Sequence, residues 1–315
     1  MSHEHHASTR PAGPVAAVAA WAGSTTVGDG STTGQRTHRY LRLALVGLVA
    51  MLLVAVLVQI VAAGGEVLPS ISHYFYTPAR NVFVGSLIAV SLALLALSGR
   101  DLETALLDVA AIFAPLIALV PTGFDDGPDA LQPQCPADAD CLPAQYLPDV
   151  QQGVVVYAIA VVLVVATALV VRTVQRQRLR GTLVSGGIAL VVAVLLLVFA
   201  FTPGLSDGFP FNTALPISIH FAVTIAFFVA FAAVPIIHAL PGDPAAAAPV
   251  ARWQRIVYIA VPILMIADLV VLLVAMKPWP AVVFWGELTA LLLFALFWLT
   301  QTIQRWKERD PEGFV

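Results

Sequence analysis

Residues 70–81 bring together two serine hydroxyls (Ser70, Ser72), an imidazole (His73), two phenols (Tyr74, Tyr76), the Arg80 guanidinium and the Asn81 amide. Groups of this kind can hold a polar ligand or a lipid headgroup through hydrogen bonds and charge. Three further ionisable residues, His220, Asp268 and Glu287, fall inside long apolar stretches. An ionisable group at membrane depth is expensive and therefore a functional candidate, and a histidine beside a carboxylate can exchange a proton near neutral pH. Residues 70–81 admit two readings. They form either an interfacial aromatic belt followed by a helix N-cap at Thr77-Pro78, or a polar lid over a cavity that opens outward.

The elements that must position these groups are helices in a bilayer. Of the 315 residues, 59% are hydrophobic and 11% charged, with a mean hydropathy of +0.88; soluble domains carry roughly 25% charged residues. Eight apolar runs, near 41–63, 81–98, 103–121, 153–172, 182–202, 214–239, 254–276 and 281–304, each approach the roughly 20 residues needed to cross a hydrocarbon core. They are continuous rather than alternating, which excludes barrel strands. The expected fold is all-α, a polytopic bundle of about eight spans. Only Gly99, Arg100, Asp101 and Leu102 separate the second and third runs, so these two should form a tight hairpin. The domain reading is a disordered tail over 1–38, a transmembrane domain over 39–305 with a long loop at 122–152, and a short tail over 306–315. The first tail, with His3, His5 and His6, reads as solvated and lacks the pattern of a signal peptide.

Loop charge orients the bundle. Arg36, Arg39, Arg42, Arg100, Arg172, Arg176, Arg178, Arg180, Arg252, Arg255, Arg305, Lys307 and Arg309 all fall on one side if eight runs span, and Lys and Arg prefer the cytoplasm. Both termini are therefore expected inside, in an inner (plasma) membrane. The other side holds Arg80, Lys277 and the aspartate-rich loop with Cys135 and Cys141, for which a disulfide is expected. The net charge of -3 carries no basic stripe, so nucleic acid is not an expected partner. The lipid bilayer is.

Counted along the helices, His220, Asp268 and Glu287 all lie in the outer half, at the level where Arg80 begins the second helix. One cluster of His73, Arg80, His220, Asp268 and Glu287 follows, either as an ion-pair network in which Arg80 neutralises Glu287 or Asp268, or as a pocket. Asp108 lies near the inner end of the third helix, within reach of Arg100. Pro115, Pro235 and Pro262 sit within runs and free backbone carbonyls that a cavity could use. The expected ligand-binding set is Ser72, His73, Tyr74, Tyr76, Arg80, Asn81, His220, Asp268 and Glu287. No metal site is read, since His220 and His238 lie 18 residues apart rather than at i, i+4. No cofactor motif or catalytic residue is assigned either.

The stretch S-x-S-x-Y-x-Y-T-P-x-R-x-x-F-V-G at 70–85 resembles a motif of uncharacterised bacterial and archaeal polytopic membrane proteins, the domain-of-unknown-function family 998. The likeness continues loosely through Pro121 and Thr122 and around residues 220–231; the runs at 153–172 and 182–202 look like additions to that pattern. The resemblance implies a membrane protein in which the polar segment matters, and implies no reaction. The residues favour binding or moving a small or lipidic ligand through an outward-facing polar pocket. The alternatives are a non-transporting sensor or assembly protein and a membrane-embedded hydrolase.

Overall fold

The computed structural model describes residues 33–97, 102–123, 142–176, 179–203, 209–210, 218–240, 250–276, 278–279 and 281–306. Among these there is no strand; eight helices account for nearly all of them. They are α1 (Thr33–Ala62), α2 (Arg80–Leu97), α3 (Leu102–Leu119), α4 (Leu147–Val174), α5 (Arg180–Phe201), α6 (Ile219–Ala239), α7 (Arg252–Ala275) and α8 (Val282–Gln304), with a 3-10 helix, Ile71–Tyr76, between α1 and α2. Each lies within a few residues of an apolar run. Seven are long and apolar enough to cross a membrane. The eighth, α3, has 18 residues, about 27 Å at 1.5 Å per residue, and it runs through the packed interior with Ala110, Ala114, Leu116 and Ala118 fully buried.

Six helices close a ring in the order α1, α2, α3, α6, α7, α8 and back to α1, each packed on the next. The α4–α5 hairpin stands outside this ring and docks on α3. The ring's centre is aromatic: Phe231 and Phe294 meet at 4.6 Å between ring centroids, and Phe297 lies 5.3 Å from Phe231 and 5.7 Å from Tyr258. The outer surface is equally apolar. Val61 and Val274 are more than 70% exposed, with Val54, Leu57, Val191 and Val270 also open. So much exposed aliphatic surface on helices that satisfy their own backbone is suited to lipid and not to water. The protein is an integral, multi-pass membrane protein in contact with a lipid bilayer.

Successive helices run in opposite directions. At one end, Val120 and Thr122 after α3 bond to His220 at the start of α6 and to Tyr76 before α2. At the other end, Arg39 of α1 lies 5.1 Å over the Trp306 ring after α8, Tyr258 of α7 bonds Gln304, and His238 of α6 lies 2.9 Å from Gln301. The helix ends bearing Arg36, Arg39, Arg42, Arg172, Arg176, Arg252, Arg255 and Arg305 thus gather at this second end, as the charge pattern requires. Cys135 and Cys141, with the disulfide expected of them, lie outside the described residues, as do Arg100 and residues 1–32 of the N-terminal tail; the rest of the tail expected over 1–38 is helical, since α1 begins at Thr33.

Candidate functional site

The 3-10 helix Ile71–Tyr76 caps the first end of the ring. Its turn is set locally: Ser70 is its N-cap, and the hydroxyl accepts the His73 N–H at 3.2 Å while lying 2.6 Å from His73 Nδ1. At the far side the Thr77 hydroxyl donates to the Tyr74 carbonyl at 2.8 Å and accepts the Ala79 N–H at 3.2 Å, closing the turn into α2. Ile71, Ser72, His73, Tyr74 and Phe75 are buried. The segment is thus a fixed plug over the bundle interior.

Glu287, in the second turn of α8, holds the start of this plug. Its Oε2 accepts the N–H groups of Ile71 at 2.5 Å and of Ser72 at 3.2 Å, and Oε1 accepts the Ser72 hydroxyl at 2.8 Å. The first peptide groups of a 3-10 turn have no internal acceptor, and a carboxylate there is satisfied by charge-assisted bonds. Phe284 N–H donates to the Pro69 carbonyl at 2.9 Å, a second tie between α8 and the plug.

His220 extends the network. Its Nδ1 lies 2.6 Å from the Val120 carbonyl and its Nε2 lies 3.0 Å from Ser72 Oγ. A carbonyl oxygen only accepts, so Nδ1 carries a hydrogen and donates. With Ser72 donating to Glu287, Nε2 must donate as well, which makes the ring an imidazolium facing a carboxylate through one hydroxyl. Moving a single proton gives the other satisfied arrangement, in which the carboxylic acid donates to Ser72 and Ser72 donates to a neutral ring. Both carry one shared proton and no net charge, the condition a low-dielectric site favours. The arrangement can bind, release or pass one proton.

A cavity of about 60 Å³ lies directly beneath Ser72 and Glu287, walled by Leu52, Phe83, Ile117, Phe227 and Leu291 from α1, α2, α3, α6 and α8. It has room for water and little else. Ser72 and Glu287 line it from above while bonding to one another.

The chain matches no protein-family model, no curated protein and no solved structure. What the site can do rests on its own residues.

Ser72, His73, Tyr74, His220 and Glu287 come together at the plug. Arg80 does not pair with Glu287 or Asp268. It bonds Asp149 in the first turn of α4 at 3.0 Å and stacks 4.2 Å over Phe75 and 5.6 Å from Tyr146. The expected charge neutralisation is replaced because the plug's own N–H groups already satisfy Glu287, while the start of α4 places a carboxylate closer to Arg80. Asp268 is half-buried on α7 and Asn81 is exposed on the first turn of α2; no hydrogen bond joins either to Ser72, His220 or Glu287. Tyr76 donates to the Thr122 carbonyl at 2.7 Å and packs edge-on to Tyr146 at 5.0 Å. Burial, and then the neighbouring Tyr146, push the Tyr76 phenol well above its usual range, against a lowering by Arg80. Burial likewise raises Tyr74, whose hydroxyl accepts the Leu68 N–H at 3.5 Å.

Asp149, Tyr146, Thr122 and the Val120 carbonyl were missed by sequence reasoning. Asp149 reads as one of several loop aspartates until α4 is seen to begin at Leu147, six residues before the apolar run at 153–172 does. A backbone carbonyl leaves no trace in a sequence.

Proposed function

We propose that the protein binds, and moves or senses, a small or lipidic ligand in the interior beneath the Ile71–Tyr76 segment, with Glu287, Ser72 and His220 as the latch that holds this segment shut. The placement of the cavity directly under the latch carries the proposal: Ser72 and Glu287 both line it and both fasten the segment above it. Glu287 adds the pair of Ile71 and Ser72 N–H bonds to this fastening. Loss of the latch would let a ligand reach the ring's centre from the plugged end. By the distribution of arginine this end faces outward, both termini lie in the cytoplasm, and the membrane is the inner (plasma) membrane. The resemblance of residues 70–85 to the 998 family belongs to the same proposal, since the quoted motif spans the plug and the first turns of α2.

Opening can be read chemically. In a Cys135→Ser, Cys141→Ser background, Thr224→Cys places a thiol on the cavity wall. A methanethiosulfonate reagent should modify it slowly, and at least tenfold faster when Glu287→Gln is added. Equal rates with and without Glu287→Gln would overturn the latch. Reconstitution into liposomes then separates the outcomes: movement of a fluorescent phospholipid or dissipation of a proton gradient, lost or altered in Glu287→Gln, identifies a carrier, and opening without flux identifies a sensor.

A hydrolase has one observation in its favour, the 3.0 Å approach of Ser72 Oγ to a histidine nitrogen whose partner nitrogen is anchored. Against it, the Ile71 and Ser72 N–H groups that a developing oxyanion would need are occupied by Glu287. Labelling of Ser72 by a fluorophosphonate, absent in Ser72→Ala, would support the hydrolase over the carrier.

A further inference from the structure

The α4–α5 hairpin leaves a second space outside the ring. A groove of about 480 Å³ runs between α2 and α4, with α3 as its floor. At its mouth stand Asp149 and Gln152, and it continues past Val156 and Ala160 to Val164. From residue 149 to residue 164 is about 22 Å of helix, more than the roughly 15 Å of one hydrocarbon leaflet.

The groove floor owes its apolar character to the repair of a proline kink. Pro115 has no N–H for the Ala111 carbonyl, and the Ser91 hydroxyl donates to that oxygen at 2.7 Å instead. The Tyr157 hydroxyl donates to the Ile112 carbonyl at 3.1 Å. The polar atoms that line the middle of the groove are thereby spent on the protein. Gly153 lets α4 lean in at the mouth, where an added Cβ would meet Leu119 at 3.2 Å.

We propose that this groove is a phospholipid site: one acyl chain lies along α4, and a zwitterionic phosphoethanolamine headgroup sits over the Arg80–Asp149 pair. Two observations select that occupant. An apolar void at hydrocarbon depth gains dispersion contacts from a chain and nothing from water. The charges at the mouth are complementary and accessible: Arg80 is 31% exposed and Asp149 51%, so a phosphate can join the guanidinium while an ammonium joins the carboxylate. The site is distinct from the latch, since none of Ser72, His220 and Glu287 lines the groove.

A phosphatidylethanolamine carrying a photoreactive diazirine in one acyl chain is the probe, mixed into phosphatidylcholine vesicles with the reconstituted full chain. Cross-links should concentrate in peptides covering Ile88–Leu95 side chains of α2 and the Val156–Val164 face of α4. Ala160→Trp, which fills the groove from an exposed position, should lower labelling of those peptides at least fivefold with the melting temperature unchanged. If that variant melts lower, Leu92→Trp serves the same purpose from the other wall. Arg80→Gln or Asp149→Asn should reduce the preference for the ethanolamine probe over a phosphatidylglycerol probe. Labelling spread evenly over all helices and indifferent to both tryptophans would overturn the site, leaving ordinary bilayer contact. Equal labelling by the two headgroups in the unaltered protein would overturn the headgroup assignment.

Discussion

Glu287 accepts the backbone N–H of Ile71 at 2.5 Å, a bond between residues 216 positions apart that ties the last helix to the plug before the second. Glu287→Ala removes the acceptor from two N–H groups on residues that are themselves buried. An unsatisfied buried donor costs about 1–3 kcal/mol, so the variant should lose roughly 2–6 kcal/mol of stability. Glu287→Gln, which retains one carbonyl acceptor, should lose less. Thermal unfolding in detergent, followed by tryptophan fluorescence, measures both. An alanine variant as stable as the parent would remove the carboxylate from any structural role.

Ser72 and His220 should behave as a coupled pair. Ser72→Ala deletes the bridge between His220 Nε2 and Glu287 Oε1, and His220→Ala deletes its other terminus. The loss at the Val120 carbonyl is common to both histidine variants and cancels in a double-mutant cycle. The coupling energy should be about 1 kcal/mol, in the upper part of the range for hydrogen bonds within membranes. Additive single effects would mean that the hydroxyl carries no bond to the imidazole in the folded protein.

Much of this was legible beforehand and part of it was not, for physical reasons. Helix positions follow from the runs, because the bilayer sets the length and every backbone group must be satisfied within the helix. The gathering of Ser72, His220 and Glu287 follows from depth: each lies within two turns of the same helix ends. Depth alone does not give azimuth, so Asp268, at a comparable depth on α7, was grouped with residues it does not bond. The role of Arg80 turned on Asp149, which belongs to a helix whose polar first turn resembles a loop. The carbonyls freed around Pro115 were expected to serve a cavity, and those of Ala111 and Ile112 instead accept the Ser91 and Tyr157 hydroxyls at the groove wall.

Arg80 offers a direct test of the corrected pairing. Its bond to Asp149 is half-exposed and worth about 0.2–1 kcal/mol, with a similar amount from stacking over Phe75. Arg80→Ala should therefore cost on the order of 1 kcal/mol, and Arg80→Lys should recover the charge but little of the stacking. A cycle with Asp149→Asn should show coupling, whereas a cycle with Glu287→Gln should be additive within about 0.5 kcal/mol. Coupling to Glu287 in place of Asp149 would restore the ion pair expected from sequence.

Tyr76 predicts how stability depends on alkaline pH. Below the ordinary tyrosine pKa of about 10, the phenol is neutral whether the chain is folded or not, and the pH dependence it contributes is flat. Burial raises the folded-state value, with Tyr146 adding to it. Above pH 10 the unfolded chain therefore releases the Tyr76 proton while the folded protein retains it. The folded state then binds more protons than the unfolded one, and unfolding free energy falls with pH by up to about 1.4 kcal/mol per unit for this group. Tyr76→Phe removes that slope. It also removes the bond to the Thr122 carbonyl, so at pH 8 the variant should be less stable by about 1 kcal/mol. The two proteins should converge, and then cross, as the pH is raised beyond 10. Parallel unfolding curves for the two from pH 8 to pH 11 would show that the plug does not bury this phenol.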